Sequence, residues 1–314
     1  MQRETCQWCT LLCREVERFR DIYENTTRPP SKKRKFQVGV GFAQESELDD
    51  TVTLLLIIDD TWKIIFQIHT TEDNPAARFI RDREVFWDVD SPKSYNLVKK
   101  RIDECSRHDR CPPPPHQGVR LPTRIIGCAD EDQPRLFISQ GAKGNYVALT
   151  YVWGESQPDC TKTTNLDSYT EAIPLQNIPK TISNVITVTR KLRLQFLWVD
   201  TLCILQDSRE DKVREIAQMR RIFHDAYVTV IAACARKVSD GFLHDCRVTM
   251  AEWGSTLLPF CCPDGDIGTM QLRGLRTAPE EPVDERAWCL EERALSPRRL
   301  IYATHTPIRM PNIP

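Results

Sequence analysis

Three short apolar runs, separated by segments of helical pattern, constrain the second half of this chain more than any other feature. The runs are YVALTYVW (146–153), FLWV (196–199) and YVTVIAA (227–233). Helix-like patterns occupy residues 178–192 and 208–226 between them. Strands that alternate with helices in this way are typical of βαβ units, in which both faces of a parallel sheet are covered. The pattern therefore predicts an α/β fold over this half.

Each intervening helix carries its own signals. Pro179 stands where helices commonly begin, and Ser208 with Asp211 has the spacing of a capping box. Apolar residues recur at three- and four-residue steps along both segments, which predicts one buried face for each helix. The predicted core positions are Ile182, Val185, Ile186 and Leu192 in the first helix, and Ile216, Met219, Phe223 and Ala226 in the second. Residues 155–178, between strand and helix, are polar and predicted to form a long loop.

The first part of the chain reads differently. Helical periodicity over residues 6–23 and 93–105 flanks β-like runs in residues 36–70, with a turn at Asp59-Asp60. CPPPPHQG (111–118) is a stiff polyproline-type connector. We therefore expect an N-terminal α+β region over residues 1–120 and an α/β domain over residues 121–314.

Composition excludes several classes of function. The chain has 314 residues, a net charge of −1 and a pI near 6.6, so no general basic surface suggests nucleic acid as a partner. No apolar run is long enough to span a bilayer, and the first residues hold no apolar signal core, so we expect neither a membrane span nor secretion. The basic stretch Lys32–Lys35 fits either a solvated loop or a nuclear import signal.

Thirteen cysteines in such a chain suggest reduced thiols or metal ligands rather than a disulfide framework. Cys6 and Cys9 form one C-x-x-C pair, and His108 with Cys111 forms a second half-site about a hundred residues later. Thiolate and imidazole are the ligands that zinc prefers, and four protein ligands would make the site structural. Cys105 competes for the fourth position. The alternative is a cluster of buried thiols without metal.

Two acids lie where the run FLWV gives way to the next helix, Asp200 directly after the strand and Asp207 before Ser208. Open parallel sheets place ligands just outside the carboxyl ends of their strands, so this segment is a candidate ligand site. The simpler interpretation is structural, because Asp207 or Ser208 can cap the helix and Asp200 can satisfy loop amides.

Three long sequence blocks, which follow one another in a fixed order, resemble a known domain. YVALTYVWGE (146–155), residues 197–233 and ERAWCLEERALSPRRLIY (285–302) resemble the signature blocks of the fungal heterokaryon incompatibility (HET) domain. The likeness covers residues 146–302. This chain departs from the usual pattern at Val213, where a Trp is common, and at Glu291, where Gln is usual. It also ends at Pro314, where family members commonly continue, which is typical of a short form or a truncated gene prediction.

The resemblance implies a cytoplasmic fungal protein of non-self recognition that triggers regulated cell death. The HET domain is similar to the TIR domain, which implies a flavodoxin-like sheet whose first strand ends in a short segment, here Thr150 to Gly154. Some TIR domains hydrolyse NAD, using a Glu on a helix behind a polar loop.

On the enzymatic hypothesis, a carboxylate stabilises the ribosyl cation, and Glu215 is the candidate. Asp200 and Asp207 would bind ribose hydroxyls, and Trp153 would stack on an aromatic ring. Gln206 belongs to the same candidate segment. A solvated helix position is the alternative for Glu215. No glycine-rich phosphate loop supports the enzymatic reading, since Gly144, Gly154 and Gly241 stand alone.

On the second hypothesis the domain is a non-catalytic module that self-associates or docks a protein partner of an incompatibility pathway. The third block would then supply an interface or brace the core. Its candidate residues are Arg286, Trp288, Glu292, Ser296 and Arg298. The structural alternative places Trp288 in the core and pairs Arg286 with a buried acid.

Overall fold

The computed structural model describes residues 6–26, 37–46, 49–58, 62–80, 88–107, 118–130, 132–244, 256–275 and 281–304. The chain forms two compact units. The first comprises Met1–Glu84 and Thr249–Pro279 with the terminal Pro314, and the second comprises Val85–Val248 and Glu280–Ile313. Within the described ranges, no helix is both long enough and apolar enough to cross a membrane.

The first unit contains an antiparallel sheet in the order β1-β2-β3-β12-β11 and a helix. Its elements are α1 (Gln7–Thr26), β1 (Val38–Ser46), β2 (Asp49–Ile58), β3 (Trp62–His69), β11 (Thr256–Cys261) and β12 (Ile267–Leu275). In β2 the run Leu54–Ile58 is apolar throughout, but Leu54, Leu56 and Ile58 are buried while the residues between them are half-buried. Alternate side chains of a strand point to opposite faces, so only one face of this sheet packs against the core.

The second unit contains a mixed sheet in the order β13-β10-β8-β9-β5-β6. Its strands are β5 (Arg124–Gly127), β6 (Arg135–Ile138), β8 (Tyr146–Thr150), β9 (Phe196–Trp198), β10 (Val228–Ala232) and β13 (Arg299–Tyr302), and the short β4 (Val119–Arg120) pairs with β7 (Lys143–Gly144). The strands β8, β9, β10 and β13 are mutually parallel, whereas β5 is antiparallel to both of its neighbours. The parallel sheet predicted from the three apolar runs is present.

The two central strands, β8 and β10, are buried along their whole length, as expected for a sheet with both faces covered. Counted along the chain from β8, the parallel strands lie in the spatial order 2-1-3-4. The order reverses between β8 and β10, so the chain leaves their carboxyl ends in opposite directions. Such a reversal opens a crevice at that edge.

Among its described residues, the second unit has seven α-helices: α2 (Pro92–Cys105), α3 (Leu166–Glu171), α4 (Lys180–Lys191), α5 (Asp200–Cys203), α6 (Arg209–Ile216), α7 (Met219–Asp225) and α8 (Ala287–Leu295). The helix predicted over residues 208–226 is thus two helices, and Ile216, expected in the core, is 49% exposed. The loop predicted over residues 155–178 contains α3. Trp198, in β9, is fully buried.

The units divide the chain elsewhere than at residue 120. The helix α2 contributes Tyr95, Val98 and Ile102 to the core of the second unit. The hairpin of β11 and β12 joins the sheet of the first unit, with Gln271 opposite His69. Pairing between strands two hundred residues apart leaves no local signal in the sequence, which is why the sequence placed this hairpin in the second region.

Candidate functional site

Two side chains meet where β8 and β9 end. The indole nitrogen of Trp153, three residues beyond β8, donates a hydrogen bond of 2.9 Å to Oδ2 of Asp200. The other carboxylate oxygen, Oδ1, accepts from the backbone nitrogen of Thr201 at 2.7 Å. Asp200 is the first residue of α5 and therefore lies directly at the carboxyl edge of the sheet. The sequence predicted this placement for both residues.

Burial raises the pKa of Asp200, and the hydrogen bonds from Trp153, Thr201 and Tyr151 and the charge of Arg286 partly oppose that shift. The phenol of Tyr151 bonds the hydroxyl of Thr201 at 3.0 Å. Desolvation holds the pKa of this phenol well above its usual value, so it stays neutral. The surroundings of Asp200 are therefore dry and supplied with fixed donors.

The helix α8 brings two further groups to the same edge. Arg286, its N-cap residue, donates to the backbone oxygen of Tyr151 at 3.2 Å. Glu292 lies against Thr150, the last residue of β8. Burial, and next the nearby charge of Asp200, raise the pKa of Glu292 to about 8. At neutral pH this side chain is therefore largely a protonated acid. We call Trp153, Asp200, Arg286 and Glu292 the carboxyl-edge cluster.

The charged side chains of the carboxyl-edge cluster do not form ion pairs with one another. Over the part of the chain that the structure describes, Asp200, Arg286 and Glu292 take part in no ion pair. The buried hydroxyl of Thr150 lies against Glu292. Unmatched polar groups that converge at a strand edge, with shifted pKa values, are typical of a ligand site.

A cleft of about 160 Å³ lies near the cluster, and no cluster residue is among those that line it. It adjoins Asp200 through Thr201, which lies in its wall, and it adjoins Trp153 through Val238, whose nitrogen donates to the Trp153 carbonyl at 3.0 Å. The remaining wall comes mainly from residues 155–160. The segment after β8 thus folds over the crevice where the strand order reverses.

Glu215 lies outside this site. Its side chain is 1% exposed, and its Oε1 lies 3.9 Å from Arg124 and 3.4 Å from Arg214. Arg124, on β5, also forms an ion pair with Asp211 and donates to the carbonyl of Cys203 at 2.8 Å. Glu215 is therefore neither the solvated residue nor the ligand-facing carboxylate that the sequence suggested. Its charge is balanced within a buried network that fastens α6 to β5.

Gln206 and Asp207 support loops. The Gln206 side chain donates to the carbonyl of Asp200 at 3.0 Å, and its backbone nitrogen donates to the carbonyl of Thr161 at 2.8 Å. Asp207 is exposed, and both of its carboxylate oxygens accept bonds from Thr163. Ser208 alone caps α6, since its hydroxyl accepts from the Asp211 nitrogen at 3.2 Å. The ribose contact expected of Asp207 is replaced by a contact that holds the 155–165 segment.

Gly154 has a positive φ of 64°, and an added Cβ would lie 2.3 Å from the carbonyl oxygen of Arg236. Only glycine fits this close approach of two loops, so the residue shapes the end of the first strand segment.

Comparison with known proteins identifies the segment that carries the cluster. Residues 146–292 match the family model described as heterokaryon incompatibility protein (HET). The chain contains a HET domain. This confirms the family inferred from the three sequence blocks, and all four cluster residues lie inside the matched HET segment.

One similar protein is heterokaryon incompatibility protein 6, OR allele, of Neurospora crassa. It is 33% identical over 102 residues, a match that covers 28% of this chain and 14% of the relative. The chain thus spans only a small part of that relative's length. No solved structure matches the chain.

The third block of the HET domain divides between the two ends of the sheet. Ser296 donates to the hydroxyl of Thr229 at 2.8 Å, and Arg298 donates to the carbonyl of Tyr227 at 2.6 Å. Both are buried and brace the start of β10. Trp288 is 62% exposed, so the expectation that it packs in the core is wrong. Arg286 contacts a backbone carbonyl rather than the buried acid it was expected to pair with.

The predicted zinc site falls only partly within the described residues. Cys6 and Cys9 are exposed, and hydrogen bonds from the backbone nitrogen of Cys9 and then from its thiol lower the pKa of Cys6. His108 and Cys111 lie outside the described residues, as does Lys32–Lys35. The alternative ligand, Cys105, is buried at the end of α2. Across the described ranges, no group of three or more metal-binding side chains is assembled.

Sequence reasoning did not anticipate the pairing of Trp153 with Asp200 or the proximity of Glu292 to Asp200. It also missed Arg124 as a partner of Glu215 and of Asp211. Thr150 and Glu292 are 142 positions apart in the sequence and meet because β8 lies beside α8. One signal was available for Arg124, a lone charge in the apolar strand RIIG.

Proposed function

We propose that this chain acts in heterokaryon incompatibility, where its HET domain is a cytoplasmic signalling or assembly module that promotes regulated cell death after non-self recognition. The HET match over residues 146–292 carries this proposal, and the name of the Neurospora relative agrees with it. The partners on this proposal are proteins of the incompatibility pathway, a second copy of the chain included.

A TIR-like, flavodoxin-like core is part of the same proposal. Flavodoxin-like sheets have the strand order 2-1-3-4-5, and the four parallel strands here lie in the order 2-1-3-4. The antiparallel strands β5 and β6 extend the sheet on the side of β9, which such an arrangement does not require.

Exposed apolar side chains in the HET domain support an assembly role. Trp288 is 62% exposed and Leu290 is 67% exposed, both on α8. Large aromatic residues are enriched at interfaces, where burial of apolar surface drives association. We expect α8 to contribute to contact with a partner.

Inducible expression in a filamentous fungus tests the proposal. Wild-type chain should arrest growth and admit a vital dye, and the W288A/L290A double variant should do so less at equal protein abundance. Val213→Ala is the matched control, because Val213 is 65% exposed on another helix of the same domain. Continued growth with abundant, folded wild-type protein would contradict the death-promoting role.

The carboxyl-edge cluster favours a second candidate function, hydrolysis of NAD at the nicotinamide–ribose bond. Water adds to the ribose carbon as nicotinamide leaves, giving nicotinamide and ADP-ribose. A carboxylate must stabilise the positive charge that develops on the sugar. Asp200 offers one at the open edge, whereas the charge of Glu215 is already balanced by Arg124 and Arg214.

Chromatographic assay of nicotinamide release by purified protein tests this candidate. Asp200→Asn should lower the rate by about a hundredfold or more, because one preorganised electrostatic group is worth that much. Arg209→Ala, at an exposed position of α6, should leave the rate unchanged. An absence of NAD loss with folded protein would exclude NAD as the substrate.

A further inference from the structure

The cleft near the carboxyl-edge cluster has walls of its own. Its volume is about 160 Å³, and its lining comes from the 155–160 segment, the start of α4, the helix α5 and the loop after β10. Ile182, Leu202 and Val238 are buried and give the cleft an apolar inner wall. An apolar cavity of about 150 Å³ holds one benzene molecule. The cleft is therefore of the size that a single six-membered ring requires.

Two linked hydrogen bonds end at Gln157, in the wall of this cleft. The buried phenol of Tyr151 bonds the hydroxyl of Thr201 at 3.0 Å and donates to Oε1 of Gln157 at 3.3 Å. Because a phenol has one proton to donate, the Thr201 hydroxyl is the donor in the first bond. The amide nitrogen of Gln157, Nε2, is buried and has no hydrogen-bond partner among the described residues. A buried N–H group without an acceptor is costly, and an acceptor atom on a ligand removes that cost.

The charged side chains that line the cleft are acids. Glu155 accepts a hydrogen bond from the Ser239 nitrogen at 3.0 Å and lies 3.7 Å from Lys237, and Asp159 is half-buried. None of the described residues that line the cleft is a lysine, an arginine or a histidine. An anion in the cleft would be repelled by these carboxylates and desolvated by the apolar inner wall. The lining therefore favours an uncharged ligand.

We propose that this cleft binds a small uncharged ring compound whose acceptor atom, a ring nitrogen or a carbonyl oxygen, takes the hydrogen bond from Nε2 of Gln157. The ring packs against the apolar wall formed by Ile182, Leu202 and Val238. The site shares no residue with the carboxyl-edge cluster or with the exposed face of α8, so it does not depend on either proposed function.

Cys160 reports whether the cleft is occupied. It is half-buried in the wall of the cleft, whereas Cys261 is exposed on β11 of the first unit. Alkylation of the folded chain by iodoacetamide, followed by peptide mass spectrometry, gives the reaction rate of each thiol. A ligand in the cleft should slow alkylation of Cys160 by the ratio of total to ligand-free protein, and the rate at Cys261 should stay the same.

Pyridine and benzene are the matched probes. Both are rings of the required size, and pyridine carries one acceptor nitrogen that benzene lacks. We expect pyridine to protect Cys160 with a Kd on the order of 1 mM, which a ligand of so few atoms can reach. Inorganic phosphate, an anion, should give no protection.

Substitution of Gln157 tests the hydrogen bond itself. Gln157→Glu keeps the acceptor for Tyr151 and exchanges only the Nε2 donor for an oxygen, so Kd for pyridine, relative to Kd for benzene, should rise by about tenfold or more. Gln133→Glu adds the same charge at an exposed position outside the cleft lining and should leave this ratio unchanged. Gln157→Met removes the donor without adding charge, should raise the ratio as well, and decides the question if Gln157→Glu does not fold.

The outcomes are distinct. Protection of Cys160 by pyridine that depends on Gln157 supports the inference. Unchanged alkylation of Cys160 in folded wild-type protein at about 50 mM pyridine, well above the expected Kd, overturns it. Equal slowing at Cys261 also overturns it, because the effect is then not local to the cleft. The same ratio of pyridine to benzene Kd in wild type and in both Gln157 variants overturns it too, since the ring then binds without this donor.

Discussion

Two regions of the second unit bury carboxylates. In one region the carboxylates form ion pairs with arginines, and in the other they do not. In the network around Arg124, the acids Asp211 and Glu215 are paired with two arginines. In the carboxyl-edge cluster, Asp200 and Glu292 lie near a single arginine that is directed at a backbone carbonyl. The first arrangement is typical of a structural brace, and the second of a site that a ligand completes.

The difference shows why burial of an acid alone does not identify a functional residue. Glu215 is 1% exposed and was the sequence-based candidate for catalysis, yet its partners satisfy it. Glu292 is less buried, yet desolvation and then the neighbouring charge of Asp200 raise its pKa to about 8, and it has no ion-pair partner among the described residues to offset this. The partners of an acid, rather than its depth, separate the two regions.

The largest effect is expected from removing the centre of the paired network. Arg124→Ala leaves Asp211 and Glu215 with one exposed arginine, and loss of one member of a buried pair costs about 3–5 kcal/mol of unfolding free energy. Urea unfolding measures it. Arg214→Ala removes a 53% exposed partner of the same acids and should cost less than about 1 kcal/mol. Equal losses for the two variants would show that the network is not a buried brace.

The pH dependence of stability should distinguish the unpaired acid. The pKa of Glu292 rises on folding from 4.5 to about 8, so the unfolded chain releases this proton first. Stability from this group is full below about pH 4.5 and is lost as the pH rises toward 8. Glu292→Gln should therefore be more stable than wild type by about 4 kcal/mol at pH 8, but not at pH 4.5. Urea titrations at the two pH values measure this, and a constant difference between them would contradict the shift.

A smaller effect tests how Asp200 is held. Trp153→Phe removes the indole donor and keeps an aromatic ring, so unfolding free energy should fall by about 1–2 kcal/mol. Chemical denaturation at pH 7 gives the value. Trp198→Phe is not a suitable control, because that ring is fully buried. Phe137→Tyr, at a half-buried position on β6, should change stability little. No loss for Trp153→Phe would mean that the carboxylate needs no such donor.

The smallest expected loss of unfolding free energy comes from removing the N-cap of α6. Ser208→Ala removes the hydroxyl that caps α6 and should cost about 1 kcal/mol. Asp207→Ala, one position earlier, leaves the cap intact and releases Thr163 instead. The first variant should lower the denaturation midpoint, and the second should mainly speed proteolytic cleavage within residues 155–165. The reverse pattern would assign the cap to Asp207.

Local sequence was sufficient for much of the α/β core. Continuous apolar runs predicted the buried strands at 146–150, 196–198 and 228–232, and the apolar periodicity predicted α4. The three blocks identified the HET domain, which the family match confirms. Asp200 was placed correctly at a strand end, because a polar residue after a buried strand marks the sheet edge. These features depend on residues within about ten positions along the chain. The apolar periodicity, and the polar residues that end each apolar run, therefore reveal them.

Long-range pairing decided the rest. The sequence determined that Asp200, Glu215 and Glu292 are carboxylates on or beside helices. Only the fold set Arg124 on β5 against Glu215 and brought α8 beside β8, so that Glu292 faces Asp200. An acid's protonation depends on burial and on charges a few ångströms away, and those charges come from distant parts of the chain. The local sequence therefore determines the chemical type of each side chain, whereas tertiary packing determines its role.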